Sequence, residues 1–198
     1  MTRETTKRTA DPITLEVIRH GIISINNQID ANMTRTAFSP YIYEYKDYAV
    51  GMTDDKGRLI AQCNGGMPIF VADAVGAGVR DGLSMLGRER IFEGDVILCN
   101  HAAVQGQHLN NTVMYTPIFV GPAEKRELIG FFAINCHWID IGGNFTESGQ
   151  GDIFSEGLQL RTIKLWSKGE PNEDVYRIIE NNTRFPVELL GDIEAQLS

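Results

Sequence analysis

A stripe of apolar residues near the start of the chain, Leu15, Ile18, Ile22, Ile25, Ile29 and Met33, recurs at steps of three or four, the spacing of one helix face. Asp11-Pro12 ahead of it supplies a side-chain acceptor for the first free N–H groups and a proline at the position that needs none. Pro40 bars continuation. The pattern predicts a helix from about Pro12 to about Thr36 whose Ile-rich face is core. A chain carrying such an element must supply a second layer to cover it.

The rest of the chain reads as that layer. Asp47 to Thr53 alternates, with Tyr48, Val50 and Met52 on one side, and the turn Asp54-Asp55-Lys56-Gly57 returns it to Arg58-Leu59-Ile60-Ala61 as a hairpin. A loop with Gly65, Gly66 and Pro68 leads to a second helical stripe, Val71, Val75, Val79, Leu83 and Leu86, closed by Gly87. Gly76, Gly78 and Gly82 inside that helix cost up to about 1 kcal/mol each relative to Ala; close packing against another backbone is the reason to expect for keeping them. Asp95–Cys99, Thr112–Val120 and Leu128–Cys136 read as strands, the last two joined as an antiparallel pair through the turn at 121–126. A glycine-rich loop follows from Asp140 to Gly157, then a strand at 161–166 and a short helix at 171–181. Pro186 to Leu197 reads as an amphipathic helix with Val187, Leu190, Ile193 and Leu197 on one face, expected to await a partner chain or further sequence. The fold expected is α+β, a long N-terminal helix packed on a mainly antiparallel sheet, with residues 1–10 a flexible tail.

Composition narrows the function classes. An apolar fraction of 42% builds an ordinary core and excludes intrinsic disorder. Eighteen Lys and Arg against 26 Asp and Glu leave a net charge of −8, the wrong sign for a partner with a phosphate backbone, so no nucleic acid is expected. No apolar run approaches the roughly 18 residues that cross a bilayer, and no membrane partner is expected. Cys63, Cys99 and Cys136 are too widely spaced for a disulfide framework or a CxxC zinc clamp; they read as small core residues of a cytoplasmic protein. No P-loop and no Gly-x-Ser-x-Gly elbow is present.

Three of the four histidines fall close together, His101, His108 and His137, with Asp140 three residues past the last. If the strands at 112–120 and 128–136 pair, His108 and His137 face each other at one rim of the sheet. Two imidazoles and a carboxylate suit zinc, manganese or iron, yet spacing alone equally allows ordinary loop histidines bonded to backbone or water.

Several segments in register add a further reading. Tyr43-Glu44-Tyr45-Lys46-Asp47-Tyr48, Asp55 to Gln62, Gly94-Asp95-Val96, Gln107-His108-Leu109-Asn110-Asn111 with Tyr115-Thr116-Pro117, His137 to Gly143, Glu156 to Leu160, and Arg184-Phe185-Pro186 with Gly191 to Gln196 together resemble the hydantoinase B/oxoprolinase family, from about Asp11 to the last residue. That family includes B subunits of ATP-dependent hydantoinases, 5-oxoprolinase, and subunits of acetone and acetophenone carboxylases. The resemblance implies that residues 11–198 form the N-terminal part of a hydantoinase B-like domain, either a fragment of a longer chain or a split subunit with a separate chain completing the C-terminal part. It implies a hydantoinase A-like partner subunit that binds ATP and magnesium and phosphorylates a small-molecule substrate. This chain would bind a divalent metal, zinc or manganese, and complete the hydrolysis of a cyclic amide. The implied ligands are Asp47, His108, His137 and Asp140, with Glu156 orienting a water as the catalytic carboxylate. Asn111 stands where the family carries an aspartate, and His101 is an outer candidate. A ketone carboxylase and a non-catalytic structural subunit are the alternatives.

Overall fold

The computed structural model describes residues 11–67, 70–144 and 152–198; the tail at 1–10, Pro68, the side chain of Val71 and the Gly149-Gln150-Gly151 turn lie outside them. Helix α1 spans Pro12–Thr36, opened by Asp11, whose carboxylate accepts from the Thr14 N–H. The four-residue α2, Pro40–Tyr43, follows. Strands β1 (Tyr48–Asp54) and β2 (Leu59–Gln62) form the expected hairpin. Its turn is closed by Asp54 Oδ1, which accepts from the N–H groups of Lys56 and Arg58. A π-helical turn, Phe70–Ala74, runs into α3, Val75–Leu86, which Gly87 ends at φ 71°.

Strand β3 (Val96–Cys99), the short α4 (Ala102–Gln105), β4 (Asn111–Val120) and β5 (Glu127–His137) come next. The chain then forms β6 (Arg161–Ser167), β7 (Glu170–Pro171), α5 (Glu173–Asn181) and α6 (Pro186–Leu197). The strands make one antiparallel sheet in the order β2-β1-β5-β4-β3-β6-β7. The fold is thus α+β, as expected.

The two faces of the sheet carry different cores. On one, Tyr48, Val50, Leu98, Met114, Ile134, Cys136 and Leu165 meet Met33 of α1, Val175 and Ile179 of α5, and Leu189 and Ile193 of α6. On the other, Val113, Tyr115, Phe131 and Ala133 meet Val75 and Val79 of α3. Each fully buried aliphatic side chain contributes about 1.5–3 kcal/mol. All three cysteines are buried and free, small core residues as the composition implied. Among the described residues no helix is long and apolar enough to cross a membrane.

Two expectations about helix faces need correcting. The α1 stripe is core only at its C-terminal end, where Met33 is fully buried; Leu15, Ile18 and Ile25 are 51%, 51% and 44% exposed. A 25-residue helix is about 37 Å long at 1.5 Å per residue, and only its last turns lie over β1 and β2. The buried face of α6 is also turned relative to the predicted stripe: Leu189, Asp192, Ile193, Ala195 and Gln196 are inside and Val187 is 68% exposed. Polar anchors set that phase. Asp192 Oδ1 accepts from the N–H groups of Phe38 and Ser39, and Gln196 Oε1 accepts from Trp138 Nε1. Of the predicted stripe, Ile193 is packed in this chain's own core and Leu190 and Leu197 are partly buried against it, while Val187 stays exposed.

The α3 glycines are closely packed, against another backbone as inferred at Gly76 alone and against side chains at Gly78 and Gly82. A Cβ at Gly76 would meet the Gly57 carbonyl, one at Gly78 the Val113 side chain, and one at Gly82 would land on Tyr115 Oη. Gly82→Ala is expected to lower stability by about 1–3 kcal/mol through overpacking, partly restored when Tyr115→Phe removes the hydroxyl. Urea denaturation of the single and double variants measures this; an unchanged Gly82→Ala midpoint contradicts it.

Candidate metal centre

The site is built by strand register. Asn111, the first residue of β4, pairs with His137, the last of β5, so the rim places their side chains on the same face. The His137 N–H donates to the Asp47 carbonyl at 2.9 Å, which brings in the residue just before β1. His108 arrives from the loop after α4, and that loop is pinned from three sides. Leu109 is fully buried, its N–H donates to Glu156 Oε2 at 2.9 Å, and its carbonyl accepts from Asn100 Nδ2 at 2.8 Å. Asn110 then exchanges hydrogen bonds with the Trp138 backbone.

The side chains converge as the strand pairing predicted. The imidazole rings of His108 and His137 are 5.0 Å apart between centroids. His137 Nδ1 lies 3.5 Å from Asp47 Oδ2 and 3.2 Å from Asn111 Oδ1. Asn111 Nδ2 lies 3.1 Å from His108 Nε2. Asn111 therefore bridges the two imidazoles, and Tyr41 stacks on His137 at 4.9 Å.

Desolvation dominates the electrostatics. Burial, reinforced by His108, pushes the His137 pKa down to about 4, so its approach to Asp47 joins a neutral ring to a carboxylate at neutral pH. Burial raises the Asp47 pKa, partly offset by His108. A neutral imidazole keeps its lone pair free for a cation, and a partly desolvated carboxylate gains most from one.

The remaining sequence candidates are placed elsewhere. Asp140 is not brought into the cluster: its Oδ1 accepts from Arg184 Nη1 at 2.6 Å, and its Oδ2 accepts from the Arg184 N–H and from Thr183 Oγ1. Three residues past His137 the chain has already turned away to tie down the α5–α6 connection, so His-x-x-Asp does not converge here. Glu156 holds the Leu109 backbone. His101 sits at the N-terminal boundary of α4 with Nδ1 buried and unpartnered; Asp81 of α3, whose pKa Arg161 lowers by hydrogen bonding, receives only a minor further lowering from His101.

Among the described residues no group of three or more His, Cys, Asp or Glu is arranged to hold a metal ion, so an ion at this rim would depend on the Asn111 amide oxygen as a donor. Sequence reasoning missed Tyr41, Gln107 and Asn135. Gln107 Oε1 accepts from Asn111 Nδ2 and, at 3.4 Å, from Asn135 Nδ2. The usable signal for Asn135 was a carboxamide between Ile134 and Cys136, at a strand position the alternation buries.

Two outcomes follow. A His whose folded pKa is depressed keeps the native state unprotonated while the unfolded chain takes up protons. Stability is then intact above about pH 6.5 and is lost as pH falls toward about 4, by about 2 kcal/mol at pH 5. Urea midpoints at pH 7 and pH 5 should show this slope, and His137→Gln should flatten it. Asp140→Ala should cost about 2 kcal/mol of stability by stranding its donors while leaving zinc affinity unchanged; lost zinc affinity in a folded Asp140→Ala would restore it as a ligand.

Comparison with known proteins accords with this architecture. The caprolactamase subunit beta of Pseudomonas jessenii is 31% identical over 191 residues, which cover 95% of this chain and 32% of that one. The 5-oxoprolinase of Dictyostelium discoideum is 30% identical over 195 residues, 95% of this chain and 14% of its own. The crystal structure of the ATP-dependent caprolactamase from Pseudomonas jessenii superposes with a TM-score of 0.81 at 30% identity, over 96% of this chain and 32% of that chain. Acetone carboxylase shares the fold, with a TM-score of 0.77 at 17% identity, over 94% of this chain and 24% of its own. This chain spans about a third of the length of the first curated relatives it matches. The profile of Hydantoinase B/oxoprolinase matches residues 11–198, and the chain belongs to that family.

Proposed function

We propose that this chain forms the metal-binding part of the B-type subunit of an ATP-dependent cyclic amide hydrolase. The observation that carries the reading is donor spacing. Asn111 Oδ1 and His137 Nδ1 lie 3.2 Å apart, and His137 Nδ1 and Asp47 Oδ2 3.5 Å, with the His108 ring centroid 5.0 Å from that of His137. Donors about 2.0–2.1 Å from one tetrahedral ion are separated by about 3.3 Å. Asp47, His108, Asn111 and His137 would hold it, with one carboxylate, two imidazoles and an amide oxygen fitting zinc or manganese. When bound, the ion supplies a Lewis acid for a carbonyl oxygen or lowers the pKa of a water toward about 7.

The protein's own contribution is positioning. His137 stays neutral near pH 7 and packed against Tyr41, so its ring is held in one orientation. His108, the exposed member of the set, is the group nearest incoming substrate. Glu156 fixes the loop that carries it. The caprolactamase relative is ATP-dependent by name and its homologous chain is a beta subunit. That supports an amide as the substrate class here, with ATP and magnesium on a hydantoinase A-like partner. The 30% identity to that amide hydrolase, against 17% to acetone carboxylase, favours hydrolysis over carboxylation.

The test is elemental analysis and turnover of the chain purified with its partner subunits. About one zinc or manganese per chain is expected, and ATP hydrolysis should depend on a cyclic amide. His108→Ala and His137→Ala should each weaken metal binding by more than about 100-fold, beyond what a change outside the ligand sphere costs. Turnover with a ketone and bicarbonate but not with a cyclic amide overturns the hydrolase reading. A metal-free, fully active assembly overturns the metal role.

A further inference from the structure

We propose that Gln107 is a positioning residue that decides which end of the Asn111 amide faces the ion; this rests on the metal-site reading above. The two ends of a carboxamide have the same size and opposite hydrogen-bonding sense, NH2 donating and oxygen accepting. Shape alone therefore does not orient Asn111, and only its oxygen can ligate a cation. Gln107 Oε1 accepts from Asn111 Nδ2 at 3.0 Å, which aims Asn111 Oδ1 at His137, 3.2 Å away. The other contact of Nδ2, His108 Nε2 at 3.1 Å, uses the lone pair that His108 would give to an ion. Once that lone pair is committed, Gln107 is the acceptor left to hold the amide.

Gln107 is oriented in the same way. Its Oε1 also faces Asn135 Nδ2, on a side chain with no solvent exposure two residues before the end of β5. With two donors converging on one site, an oxygen is favoured there and the Gln107 NH2 is excluded. Gln107 Oε1 thus ties the Asn111 amide at the rim to Asn135 on the rigid sheet as a shared acceptor. It gives a neutral amide the directional certainty that a carboxylate, with two equivalent oxygens, has without help.

Zinc affinity, measured by competition with a chromophoric chelator, and the visible absorption of the cobalt-loaded chain test this directly. Gln107→Met keeps the length and removes the acceptor; it should bind zinc about 10–100-fold more weakly, with a weaker cobalt band. Gln107→Glu keeps an acceptor and should bind within threefold of wild type or tighter. In an Asn111→Ala background, where there is no amide to orient, Gln107→Met should have no further effect. Circular dichroism verifies folding, and Gln107→Leu replaces Gln107→Met if the latter is unfolded. The inference is overturned if the acceptor-free variant binds within threefold of wild type, or if its loss persists undiminished without Asn111. Wild-type chain that binds neither zinc nor cobalt overturns the site reading itself, and this inference with it.

Discussion

The pairing of β4 with β5 is the constraint on which the rest of the molecule depends. Its register sets Asn111 opposite His137 and Val113 opposite Asn135, and gives each face of the sheet its own core. Side chains alternate with period two, so a one-residue slip of β5 would send Ile134 and Cys136 to the α3 side and bring Asn135 into the core they left. The cost would fall on both cores at once. The register that buries the apolar residues is therefore the one that assembles the rim, and no separate stabilisation is needed to bring His137 to Asn111.

Polar anchors complete what apolar packing leaves undetermined. Asp192 on α6 receives the backbone of Phe38 and Ser39, Asp140 receives Arg184, and Asn100 bonds across to residues 109, 158 and 160. Each ties a loop to the sheet or helix beside it. The burial that gives these bonds their worth also depresses the basicity of His137 and raises the Asp47 pKa. One physical cause, exclusion of water from the base of the rim, underlies both the order of the site and its readiness for a cation.

What the sequence made legible follows from which interactions are periodic. The hairpin at β1 and β2, the β4–β5 pair, α3 with its close-packed glycines and the meeting of His108 with His137 were all readable from alternation, helical spacing and turn residues. The insertion of β1 beside β5 was not, because strand order is a long-range choice that local pattern does not encode. The phase of α6 was misread because Asp192 and Gln196 occupy inward positions that a hydrophobic stripe treats as outward. Asp140 lies apart from the rim because three residues past a strand end the chain direction depends on a tertiary contact, here Arg184. Asn135 and Gln107 escaped notice since a carboxamide carries no charge to mark it.

The account stands or falls on whether Asp47, His108, Asn111 and His137 surround one ion. X-ray absorption at the zinc K edge of the loaded chain reads the coordination sphere directly. Two imidazole nitrogens and two oxygens at about 2.0–2.1 Å are predicted. A sphere of water oxygens without imidazole scattering, or one containing sulfur, would contradict it.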